Sequence, residues 1–143
     1  MAADPFEILR ELKNKQYRPL YFLQGEEPFF IDQISDFVEE NVLNESEKGF
    51  NQTILYGKET SMGDLLNHAR RFPMMAERQV VILKEAQEMT DLRSESTLKL
   101  LEDYLNNPVP STVLVICHKH KSLDRRKSIT KKIESQALSL IHI

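Results

Sequence analysis

Only a few residues in this chain are of types that do chemistry. Cys117-His118-Lys119-His120 carries metal-ligand types at the end of an apolar run, where α/β proteins often place their sites. The lysines beside them oppose a cation, and no fourth ligand is apparent at ligand spacing. Cys117 reads more simply as a buried core thiol. His68 lies on a helical pattern among polar neighbours and reads as a solvated histidine. Glu26 and Glu27 can in principle do acid–base work. They also precede a helix directly, where negative charge complements the helix dipole, and that role is preferred.

A phosphate loop is the next possibility, because Leu20–Leu23, Gly25 and a helix from Pro28 have the right strand–glycine–helix order. Such a loop needs several glycines for close backbone approach, plus a Lys and a Ser/Thr for charge and magnesium. The turn here is Gly25-Glu26-Glu27-Pro28-Phe29-Phe30-Ile31, with two carboxylates facing the would-be phosphates. The four glycines, Gly25, Gly49, Gly57 and Gly63, match no nucleotide fingerprint. No cofactor is expected.

A different kind of signal lies at Phe72-Pro73-Met74-Met75, just before the apolar run Val80–Leu83. A soluble protein usually places a polar turn there. Pro73 prevents a smooth helix through this point. Two readings stay open on pattern alone. The apolar side chains tuck beneath the sheet edge as gap-fillers, or they form a hydrophobic plug presented to a partner's pocket.

The elements that position these residues follow from periodicity. Asp4 and Pro5 open a helix with an apolar stripe at Phe6, Ile8, Leu9 and Leu12. Leu20–Leu23 reads as a first strand. The helix from Pro28 carries Phe30, Ile31, Ile34, Phe37, Val38 and Val42. Phe50–Tyr56 reads as a strand closed by Gly57, and Thr60 or Ser61 caps a helix through about Arg71 with Met62, Leu65, Leu66 and Ala69 inward. Strands follow at about Gln79–Lys84 and Thr112–Cys117, separated by a helix from about Ser94 to Asn106. Leu123–Ser135 reads as a helix with a basic face. The tail from about residue 136 is expected to be a last strand or partly a cloning remnant. Alternation of helices with strands apolar on both faces predicts an α/β fold, a mostly parallel sheet flanked by helices on both sides.

A chain of 143 residues suits one domain. No apolar run reaches the ~20 residues of a membrane span. The first residues lack a secretory pattern, and the single cysteine excludes an internal disulfide. A cytoplasmic location is expected. The net charge of −3 conceals an asymmetry: residues 1–117 hold twenty acids and twelve bases, whereas 118–132 hold seven bases and one acid. Lys119, Lys121, Arg125, Arg126 and Lys127 in that segment can touch DNA or a neighbouring subunit, although a solvated helix face is the simpler reading.

Leu20-Tyr21-Phe22-Leu23-Gln24-Gly25-Glu26-Glu27-Pro28-Phe29-Phe30 resembles the opening of the delta subunit of bacterial DNA polymerase III, the wrench of the clamp loader. Arg71 to Lys84 is similar to that family's two large hydrophobics, short turn with Arg, and core strand. Leu98–Tyr104, Pro108 and Thr112–Cys117 resemble the helix, turn and strand that follow, and Asp124-Arg125-Arg126-Lys127 fits the next basic element.

The resemblance implies a RecA-like, AAA+-type fold without a functional phosphate loop, here the N-terminal domain (1–143) of a longer chain with lid and collar domains absent. It implies no ATP hydrolysis by this chain, within a holoenzyme that is a DNA-directed DNA polymerase. It maps the residues that wedge into the sliding clamp onto Met74 and Met75, with Phe72 and Pro73 shaping the protruding end. A Phe is frequent in the second slot, and Met75 departs from it. The implied partners are the sliding clamp (beta subunit) and, mainly through missing domains, the gamma/tau and delta prime subunits, with DNA contact indirect and no membrane. The rival readings are a divergent nucleotide-binding ATPase and a doubly wound protein-interaction domain with the plug buried. The second lacks an acidic cluster at strand ends, since Asp32 and Asp36 fall on a helix.

Overall fold

The computed structural model describes residues 4–25, 28–92, 94–120 and the backbone of 138–140. Helix α1 (Pro5–Lys13) starts as the sequence dictates: the Asp4 carboxylate accepts from the Phe6 N–H at 2.9 Å and Pro5 occupies the first turn. Strand β1 (Leu20–Gly25) leads into α2 (Pro28–Asn41), then α3 (Glu45–Asn51), β2 (Gln52–Tyr56) and α4 (Met62–Ala69). Strand β3 (Gln79–Lys84), α5 (Glu95–Asn106), β4 (Thr112–Lys119) and the short β5 (Leu138–Leu140) complete the order, with single 3-10 turns at Gly57–Glu59 and Ala86–Glu88.

The five strands form one sheet in the order β2-β3-β4-β1-β5, and every pairing is parallel. Parallel neighbours require crossovers, which helices supply between β1 and β2, β2 and β3, and β3 and β4. The register sets Phe22 beside Ile116, Val81 beside Leu114 and Ile54 beside Ile82. Alternate residues therefore face two separate cores. Leu20, Phe22, Val81, Leu83, Leu114 and Ile116 pack on α4 and α5 through Leu65, Leu66, Leu101 and Tyr104. Tyr21, Leu23, Val80, Ile82, Val113 and Val115 pack on α1 and α2 through Ile8, Leu12, Ile31, Ile34 and Val38. Burying a side chain of this size contributes about 1.5–3 kcal/mol. The α/β class, with a mostly parallel sheet flanked by helices, is as expected.

Some boundaries differ. Phe50 and Asn51 end helix α3 rather than begin a strand. Asn44 accepts from the Glu47 N–H at 2.9 Å while the Glu47 carboxylate accepts from the Asn44 N–H at 3.1 Å, a reciprocal cap that starts a helix before the chain can extend. Helix α4 stops at Ala69, two residues short of Arg71, because Pro73 lies close behind. Strand β4 runs on through His118 and Lys119. The expected helix Leu123–Ser135 lies outside the described residues. A short last strand, β5, does form beside β1.

Candidate functional site

Two ends of the sheet are candidates. The first is the edge carrying the carboxyl ends of the strands, where open α/β sheets bind ligands. Here β1 ends at Gly25, β3 at Lys84 and β4 at Lys119, and the His120 N–H donates to the Gly25 carbonyl at 2.8 Å. A cavity of about 160 Å³ is lined by Asp32, Ser35, Asp36, Lys84, Glu85, Cys117 and Lys119. Both of its lysines are ion-paired. The Lys119 ammonium stands 2.7 Å from Asp32 Oδ1 and 3.3 Å from Glu85 Oε2, and Lys84 stands 3.0 Å from Glu39. Desolvation opposes charge on both lysines, but the paired carboxylates outweigh it and raise both ammonium pKa values. Phosphate-loop ATPases place a magnesium-holding acid at such a strand end; this chain has Lys84 at the end of β3. Cys117 is buried, and burial pushes its thiol up to about 11. Among the described residues no group of three His, Cys, Asp or Glu is placed to hold a metal.

Lys119 therefore turns inward to an ion pair and is not an open phosphate contact, whereas Lys121, Arg125, Arg126 and Lys127 lie outside the described residues. The fold also brings Asp32, from its helix, to a strand end, which spacing alone did not suggest. His68 is half-buried on α4, and desolvation, then the Arg71 charge, lower its pKa.

The second candidate is the opposite end, where the chain runs from α4 into β3. Phe72, Met74 and Met75 are 78%, 61% and 101% exposed, and Pro73 is half-buried. These side chains do not tuck beneath the sheet. Nor do they ride on a helix end; they sit on a loop anchored at both sides by buried amide side chains. Gln79, at the start of β3, directs its Nε2 at the carbonyls of His68 (3.0 Å), Ala69 (3.3 Å) and Arg71 (2.6 Å). The Thr112 hydroxyl donates to Ala69 O at 2.6 Å. Together they satisfy the last-turn carbonyls that Pro73 prevents a longer helix from satisfying.

Asn51 holds the other side. Its Nδ2 donates to Met74 O at 2.9 Å and its Oδ1 accepts from the Met74 N–H at 2.6 Å, so one carboxamide grips the Met74 backbone at two points. Asn51 is 3% exposed, and its Nδ2 also donates to Glu47 O at 3.0 Å. Met75 follows with φ 56°, a left-handed conformation that costs a non-glycine residue about 1 kcal/mol or more. Such strain persists only where the surroundings hold it, and the bond from Asn51 Nδ2 to the Met74 carbonyl fixes the peptide plane that leads into Met75. Arg78, at the end of the loop, lies over the Tyr17 ring at 4.9 Å. The sequence reading missed Asn51, Gln79 and the exposed Phe50 beside the grip, which is 79% exposed. The Asn44–Glu47 spacing was the one local signal that could have placed α3, and with it Asn51.

The class defined here is a parallel α/β domain with its two strand-end lysines ion-paired and an apolar loop held in water at the opposite end of the sheet. The model of the family described as "DNA polymerase III, delta subunit" matches residues 21–142, and the chain belongs to that family. It is 28% identical over 139 residues to DNA polymerase III subunit delta of Bacillus subtilis (strain 168), covering 94% of this chain and 40% of that one. Among solved structures it is similar to the Bacillus subtilis DNA clamp loader delta protein, with TM-score 0.83 and 27% identity over 98% of this chain and 42% of that one. A Thermotoga maritima DNA polymerase III gamma subunit-related protein shares the fold, with TM-score 0.56 and 16% identity over 98% of this chain and 46% of that one. This chain thus spans about two-fifths of the length of its Bacillus subtilis relatives.

Proposed function

We propose that this chain is the clamp-binding, N-terminal part of a cytoplasmic clamp-loader delta subunit. Met74 and Met75, flanked by Phe72 and Pro73, dock into an apolar pocket of the sliding clamp, the beta subunit. The observation that carries this reading is an apolar pair held in water by a buried grip, Asn51 on the Met74 backbone, in a chain of this family. Isolated exposed apolar residues need no explanation, but an anchored group of them marks a contact surface. Each methionine buried in a pocket contributes on the order of 1.5–3 kcal/mol. The ring opens if the loop prefers the sprung clamp protomer over the closed form, since a ligand shifts an equilibrium only by its differential affinity. Contacts with gamma/tau and delta prime belong mainly to segments beyond these residues, and DNA contact is indirect.

In this reading the chain neither binds nor hydrolyses ATP. Four carboxylates around the strand-end cavity, Asp32, Asp36, Glu39 and Glu85, outnumber Lys84 and Lys119, so phosphate meets a net negative field. The rival ATPase reading requires nucleotide affinity in spite of that field. The test is calorimetric titration of the chain, and of Met74→Ala/Met75→Ala, into purified bacterial sliding clamp, with a separate ATP–magnesium titration. Clamp binding lost in the double variant and no heat from ATP supports the proposal. A folded chain that ignores the clamp, or one that binds ATP, overturns it.

A further inference from the structure

The plug is made of the one apolar side chain that a mild oxidant can convert reversibly into a polar one. Among the described residues the methionines divide sharply. Met62 and Met89 are 1% and 4% exposed within the core, whereas Met74 and Met75 are 61% and 101% exposed. The exposure is built in. The Asn51 carboxamide fixes the Met74 backbone, and the left-handed turn at Met75 leaves that side chain wholly in water, so oxidant access needs no opening of the fold. Leucine or phenylalanine at these positions would fill an apolar pocket equally well without this reactivity.

We propose that Met74 and Met75 are a reversible oxidation site that switches the docking surface off. The oxidant is hydrogen peroxide. A thioether sulfur lone pair attacks one peroxide oxygen, the O–O bond breaks as the S–O bond forms, and the other oxygen leaves as water after proton transfer. Each methionine becomes its sulfoxide, with sulfur oxidised by two electrons and the peroxide reduced by the same two. The new S–O dipole must shed water to enter an apolar pocket, and nothing apolar compensates it. The Asn51 grip involves only backbone atoms of Met74, so the fold and the loop geometry survive the modification. Methionine sulfoxide reductases, one for each sulfoxide epimer, reverse it.

The loss of docking rests on the clamp-binding reading; the selectivity of oxidation does not. The experiment treats the chain with dilute hydrogen peroxide, follows each methionine by peptide mass mapping, and measures affinity for purified sliding clamp before treatment, after it, and after incubation with both reductases and a thiol donor. Met74 and Met75 should oxidise at least about tenfold faster than Met62 and Met89, clamp affinity should fall at least about tenfold with the circular dichroism spectrum unchanged, and the reductases should restore it. Equal rates at all four methionines overturn the proposal, as does undiminished affinity after full conversion of Met74 and Met75, or a loss that the reductases do not reverse. An untreated chain that fails to bind overturns the clamp reading and the switch together. That result is distinct, because the oxidation rates are still read independently.

Discussion

Asn51→Ala should release the Met74–Met75 loop while leaving the domain folded. The carboxamide contributes two hydrogen bonds to the Met74 backbone, at 2.9 and 2.6 Å, and neither core cluster includes it. A net value of about 1 kcal/mol per bond gives about 2 kcal/mol for the pair. At about 1.4 kcal/mol per tenfold, opening of the loop should become roughly thirtyfold more frequent. The Met74 N–H reports this directly, because the acceptor it has is Asn51 Oδ1. Amide hydrogen exchange, resolved by NMR, should show Met74 exchanging roughly thirtyfold faster while Val81 and Val115 in the central strands keep their protection. Unchanged exchange at Met74 would refute the grip. An equal loss of protection at Val81 would refute its local character.

Three further outcomes follow from the fold. Gly57→Ala should destabilise the domain by about 1–3 kcal/mol in urea denaturation, since a Cβ there runs into the backbone carbonyl of Glu85. Gln79→Ala strips partners from the last carbonyls of α4 and should cost about 2 kcal/mol by the same assay, with α4 fraying first in hydrogen exchange. Stability should hold to about pH 9 and then fall towards pH 12. Burial raises the Cys117 thiol from 9.0 to about 11 and the Tyr21 hydroxyl from 10.0 to about 12. A group raised in the folded state keeps its contribution below its unfolded pKa and loses it as pH climbs through the folded value. Lys84 and Lys119, also raised, act with the same sign, their contribution being lost as pH climbs above the ordinary lysine value of 10.5. Urea midpoints across this range should show the decline beginning about one pH unit later in Cys117→Ala, where Tyr21 ionises first.

The central strands were legible because their residues are apolar on both faces, which only a doubly covered parallel sheet tolerates. Val80–Leu83 and Thr112–Cys117 fall within the observed β3 and β4 for that reason. Helix α3 was hidden because Phe50 and Ile54 mimic a strand, although the Asn44–Glu47 cap outweighs that pattern locally. The exposed loop residues were legible by type but not by exposure, since Phe72, Met74 and Met75 suit a core as well as a surface. Their anchors were not legible. Asn51 lies 23 positions from Met74 and Gln79 lies 33 from Thr112, separations over which no local pattern speaks. The inward turn of Lys119 was equally hidden, because its partners Asp32 and Glu85 come from elements far apart in the chain.

The most direct test of the central claim is methyl NMR of the chain carrying labelled methionine, recorded as purified bacterial sliding clamp is added. Met74 and Met75 methyl signals should shift or broaden first, while those of the buried Met62 and Met89 keep their positions. Clamp binding that leaves the Met74 and Met75 signals untouched would contradict the account.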